Sequence, residues 1–122
     1  MPGFAKAPPE LVERFDAITA DLIGADRRLT FGYPCLYVGG NMVSGLHGSH
    51  WFVRLGEAQA AELLAQAGAG PFEVMAGRPM AGYVTLPEAT IADDRMARTW
   101  VERAIAFGET LPPKGPKSPK RT

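Results

Sequence analysis

Two glycine-centred turns set close together constrain this chain more than any other feature. Gly39-Gly40-Asn41 and His47-Gly48-Ser49 separate three apolar runs: Cys35-Leu36-Tyr37-Val38, Met42-Val43-Ser44-Gly45-Leu46 and His50-Trp51-Phe52-Val53-Arg54-Leu55. Glycine and asparagine readily supply the positive backbone angles that tight hairpin turns require. A parallel crossover needs a dozen or more residues, so runs joined this tightly pair as an antiparallel meander. Alternation in the third run puts Trp51, Val53 and Leu55 on one face and His50, Phe52 and Arg54 on the other.

Helical patterns flank the meander. Pro8 and Pro9 precede Glu10, and proline suits a first helical turn because its missing N–H would have no partner there. Leu11, Phe15, Ile18 and Leu22 then fall on one helical face, with Gly24 as a stop. Glu57 to Ala67 is rich in Ala, Leu, Glu and Gln and closes at Gly68, which predicts a second helix. Pro71–Met75 and Ala81–Leu86 read as two further strands linked through Gly77-Arg78-Pro79. Asp93 or Asp94 can cap a last helix carrying Met96, Trp100, Val101 and Ala104 on one face. The expected order is α-β-β-β-α-β-β-α: an α+β fold with an antiparallel sheet of about five strands packed by helices.

Charge divides the chain. The 13 basic and 13 acidic residues cancel, but Lys114, Lys117, Lys120 and Arg121 all lie after Leu111 in a Pro-rich segment without acids. That leaves nine basic residues against 13 acidic ones in the body, a charge near −4. The expected organisation is therefore a domain over residues 1–111 and a disordered basic tail over 112–122. Any nucleic-acid contact is expected from the four tail cations and to be weak and sequence-blind. Met1–Ala7 does not read as a signal peptide, and no run approaches about 18 apolar residues, so no membrane contact and a cytoplasmic location are expected. A lone cysteine, Cys35, allows no internal disulfide.

Few residues suggest chemistry. His47 and His50 flank one turn but have no Cys or acidic partner nearby in sequence, short of the three or four ligands zinc uses. Cys35 could serve as a nucleophile only beside a histidine, and His47 or His50 on neighbouring strands are the candidates. The alternative is a small buried thiol. Gly-x-Ser-x-Gly, His-Glu-x-x-His and phosphate-loop patterns are all absent. Tyr37, Trp51, Phe52 and Tyr83 could form a stacking platform for bases, but Arg54 stands nearly alone among them, so core packing is expected. No catalytic, metal or cofactor-binding residue is assigned.

Several segments taken together resemble a known family. They are Leu29-Thr30-Phe31-Gly32-Tyr33, Leu36-Tyr37-Val38, Gly40-Asn41-Met42 and Trp51-Phe52-Val53-Arg54-Leu55, followed by Pro71-Phe72, Gly77-Arg78-Pro79-Met80 and Tyr83-Val84-Thr85-Leu86-Pro87. A final helix with Asp93 and Trp100 completes the set. Their order and spacing resemble the N-terminal domain of the TfoX/Sxy family, linked to regulation of bacterial competence, over roughly residues 10–110. The resemblance implies a secretion-chaperone-like arrangement of about five strands and a non-enzymatic regulatory or adaptor role. It implies a protein partner in the transcription apparatus and brings no catalytic residues. Family regulators often carry a second, helical domain, whereas here the Pro/Lys tail follows. Two other readings stand beside it: a small-molecule-binding protein or small enzyme with a pocket near Cys35, His47 and His50, and a tail-driven nucleic-acid binder.

Overall fold

The computed structural model describes residues 7–30, 32–75 and 78–113. Helix α1 (Pro9–Thr19) leads into strands β1 (Asp26–Thr30), β2 (Tyr33–Val38), β3 (Asn41–His47) and β4 (His50–Arg54). Helix α2 (Glu57–Leu64), strands β5 (Gly70–Met75) and β6 (Arg78–Thr85), and helices α3 (Glu88–Ile91) and α4 (Asp94–Glu109) follow. The strands form one antiparallel sheet in the order β1-β2-β3-β4-β6-β5. The fold is α+β, as expected, and both hairpin turns fall where the glycines put them. Gly39, Gly40 and Gly48 all have positive φ.

The described residues give the sheet six strands where about five were expected, because Asp26-Arg27-Arg28-Leu29-Thr30 is itself a strand. It lies at the edge and is largely exposed, so no buried face imposes an apolar alternation on its sequence. Helix α1 ends at Thr19, leaving Leu22 in the following loop, and a four-residue helix α3 precedes α4. Asp93 caps α4 by accepting from the Met96 N–H at 3.1 Å.

One face of the sheet carries the main core. Helix α4 lies across β2, β3 and β4, with α1 alongside it. Leu36, Val38, Val43, Leu46, Trp51, Val53, Val84 and Leu86 pack there against Phe15, Ile18, Trp100, Val101, Ala104 and Ile105. Trp51 meets Phe15 at 5.0 Å between ring centres. Its indole N–H donates to Ser44 Oγ at 3.1 Å, and that hydroxyl donates to the Phe52 carbonyl at 2.8 Å, so the buried polar atoms are paired. The face expected for α4 holds for Trp100, Val101 and Ala104, but Met96 stands out 41% exposed and is no part of it. Its place is taken by Ala97, one residue further round the helix.

The opposite face carries a second buried cluster. Neighbouring strands lie about 4.8 Å apart, so β3 and β5, separated by β4 and β6, would stand about 14 Å apart in a flat sheet. Phe72 of β5 and His47 of β3 reach across that gap, with ring centres 5.6 Å apart. Phe72 also stacks on Phe52 at 4.3 Å. These rings belong to a second, smaller cluster of Cys35, Phe52, Phe72 and Tyr83, with Tyr37 and Met42 partly buried against it. Gly45 makes room for this cluster: a Cβ there would lie 2.4 Å from Cys35 Sγ and 3.0 Å from Phe52 Cζ. Trp51 and Phe52, adjacent in sequence, are thus buried in two different clusters, as the strand alternation predicts.

Candidate functional site

Cys35, His47 and His50 share the face that carries the smaller cluster. Cys35 pairs with Gly45, His47 lies two residues further along β3, and His50 opposes His47 across the hairpin. The three differ in environment. Cys35 is a buried free thiol. Burial pushes it above its ordinary range, more than a Thr30 hydrogen bond and the Arg27 charge pull it down. That direction is opposite to the one that arms a nucleophile. His47 is half-buried, its ring 5.1 Å from Tyr33 and 5.6 Å from Phe72. Burial and then the His50 charge lower its pKa below the usual histidine range. His50 is exposed and lines a cleft with Ser49, Gly68, Thr85 and Pro87, a cleft that includes neither Cys35 nor His47. Among the described residues, no three His, Cys, Asp or Glu side chains converge in a way that could hold a metal ion.

The aromatic residues likewise serve packing. Trp51 faces the helices, and Phe52 is covered by Phe72. Tyr83 is buried with its hydroxyl donating to the Met42 carbonyl at 3.0 Å. Burial raises its phenol above the ordinary range, with Arg54 acting against that shift. Lys114, Lys117, Lys120 and Arg121 lie outside the described residues. Just before them, the Pro112 carbonyl accepts from Asn41 Nδ2 at 3.1 Å, which ties the end of the described chain to the β2–β3 turn.

An apolar groove lies where α2, β6 and α4 meet. Ala60, Ala61 and Leu64 of α2 form one wall, Phe107 of α4 contributes another, and Leu55, Gly56, Ala81 and Gly82 complete it. Arg54 and Glu57 are its charged members. Leu64 is 42% exposed here, while its neighbour Leu63 is buried in the core. Adjacent residues point about 100° apart on a helix, so a short helix cannot sink both leucines. That Leu63-Leu64 pair is the one signal of the groove visible in the sequence.

Arg54 marks the groove electrostatically. Among the described arginines, Arg14, Arg27, Arg28, Arg98 and Arg103 each lie within ion-pair distance of a carboxylate, of Asp94, Asp16, Asp26, Asp21 and Glu62 respectively, and Arg54 and Arg95 do not. The Arg54 guanidinium lies instead between two rings, 5.4 Å from the centre of Tyr83 and 5.8 Å from that of Phe107. Cation–ring contact leaves its N–H fork able to take a carboxylate. The arrangement can hold an apolar side chain in the groove and an anion at its edge. No helix among the described residues is long and apolar enough to cross a membrane.

Neither the curated proteins nor the solved structures contain a match to this chain. The family model described as the TfoX N-terminal domain matches residues 5–108, which takes in every strand and nearly all of α4. With that match running over most of its length, the chain belongs to the TfoX N-terminal domain family.

Proposed function

We propose that this domain is a non-enzymatic regulatory or adaptor module that works by holding a protein segment in the α2–β6–α4 groove. Family membership supports a regulatory role connected with competence. The observation that carries the contact mode is the open apolar groove beside an arginine stacked on rings, with no carboxylate bonded to it among the described residues. The partner segment places an apolar side chain against Ala61, Leu64 and Phe107 and a carboxylate on Arg54. Partners in the transcription apparatus fit the family connection. A cytoplasmic setting is part of the same reading. The buried thiol of Cys35 supports its assignment to packing and not to catalysis.

Affinity capture from native lysate tests this with four full-length proteins: wild type, Leu64→Asp, Arg54→Glu, and a variant with Lys114, Lys117, Lys120 and Arg121 changed to Ala. The expected result is a captured protein set shared by wild type and the tail variant and lost from both groove variants. Capture that survives both groove changes, or that disappears only with the tail charges, would overturn the reading.

A further inference from the structure

Among the described residues, strand β1 pairs with β2 on one side and with no strand on the other. Its outer edge therefore presents unpaired backbone donors and acceptors. The two most exposed large apolar residues among those described, Ile23 at 91% and Leu29 at 65%, lie just before and within it. Residues 26 to 28 read Asp26-Arg27-Arg28, and that pattern decides what the edge can accept.

Two copies can join edge to edge in an antiparallel pair related by a two-fold axis perpendicular to the sheet. Opposed residues must then lie on the same face, so the axis passes through a residue and not between two. An axis through residue 26 opposes Asp26 to its own copy. An axis through residue 28 opposes Arg28 to itself and Arg27 to Leu29, and one through residue 29 sets Arg28 against Thr30. With the axis at Arg27, Asp26 of each copy faces Arg28 of the other, giving two opposite-charge pairs at once. Arg27 then faces itself, but its charge is already held by Asp16 at 2.8 and 3.3 Å. Leu29 comes opposite Ala25 of the second copy, next to Ile23. Within one chain the Asp26–Arg28 contact is loose, 3.8 Å between two exposed side chains, and the Arg28 guanidinium lies 5.0 Å from the Tyr37 ring centre, a contact that leaves its N–H fork able to take a carboxylate across the interface.

We infer that the protein forms a two-fold dimer through β1, centred on Arg27, joining two six-stranded sheets into one continuous sheet. The one free edge of β1 in each copy is consumed, so this interface closes at two copies. The full-length chain is examined by sedimentation over a concentration series. Wild type is expected to run as a concentration-dependent dimer. Asp26→Arg and Arg28→Asp each turn two attractive cross-strand pairs into repulsive ones and are expected to weaken dimerisation about tenfold or more. The double variant Asp26→Arg/Arg28→Asp reverses both charges and is expected to restore it. Arg27→Cys supplies a second readout, since residue 27 alone faces its own copy: oxidation should cross-link it, while Arg28→Cys should not. A monomeric wild type, a dimer indifferent to the single changes, or failure of the double variant to recover would each overturn the inference.

Discussion

Replacing Gly45 by alanine is expected to destabilise the domain by about 1–3 kcal/mol, the usual cost of overfilling a packed core. In an open strand the same change is favourable by roughly 0.5–1 kcal/mol, because glycine loses more freedom on folding. Gly45 lies outside the left-handed region, so the cost is steric. A new Cβ would stand 2.4 Å from Cys35 Sγ and 3.0 Å from both Cys35 Cβ and Phe52 Cζ. Ordinary contact is about 3.5–4.0 Å, so the sulfur must retreat by more than about 1 Å. Phe52 cannot yield in its place, since Phe72 stacks on it at 4.3 Å. Cys35→Ala alone removes one buried atom and should cost about 0.5–1.5 kcal/mol. In the double variant the new methyl occupies the volume the sulfur left. Urea denaturation of the four proteins should show the double variant more stable than the summed single effects by about 1 kcal/mol. Strict additivity, or a neutral Gly45→Ala, would refute the packing of Cys35 over Gly45.

Trp100→Ala should cost about 3–5 kcal/mol, since it empties the contact between α4 and the sheet and removes the ring under Arg103; unchanged thermal stability would sink the placement. His47 has a lowered folded-state pKa, so the unfolded chain binds its proton first as pH falls; the contribution of His47 is complete at neutral pH and lost below the usual histidine range. Melting curves at neutral and mildly acidic pH should show that loss, and His47→Phe should reduce it. Replacing Lys114, Lys117, Lys120 and Arg121 with Ala should abolish any DNA affinity, whose salt slope in the wild type is expected to reach at most about −4. Equal binding by that variant would place a basic site on the folded body.

Much of the fold is legible in the chain because its signals are local. Gly39-Gly40 and Gly48 punctuate the meander, Phe15 and Ile18 mark the buried stripe of α1, and Trp51 and Phe52 divide between two faces as strand alternation requires. Strand β1 escapes such reading because an exposed edge places no apolar demand on Asp26-Arg27-Arg28. Met96 misleads for a related reason: it stands two residues into α4, where either side of the first turn continues the apolar stripe, and Ala97 takes the buried position. The contact of Phe72 with His47 spans two intervening strands, and no local pattern encodes it. The groove is hidden for the same reason. Leu64, Phe107 and Arg54 come from three elements far apart in the chain, and only the Leu63-Leu64 pair hints that one leucine must face outward.

The groove is the proposed working surface, and a photo-reactive amino acid placed at Leu64 in cells tests that role most directly. Irradiation should give one dominant adduct with a cellular protein from position 64, none from the equally exposed position 96 on α4, and a much weaker adduct when Arg54→Glu is added. A ladder of unrelated adducts, or one unaffected by Arg54→Glu, would contradict the claim that the groove and its arginine hold a specific partner.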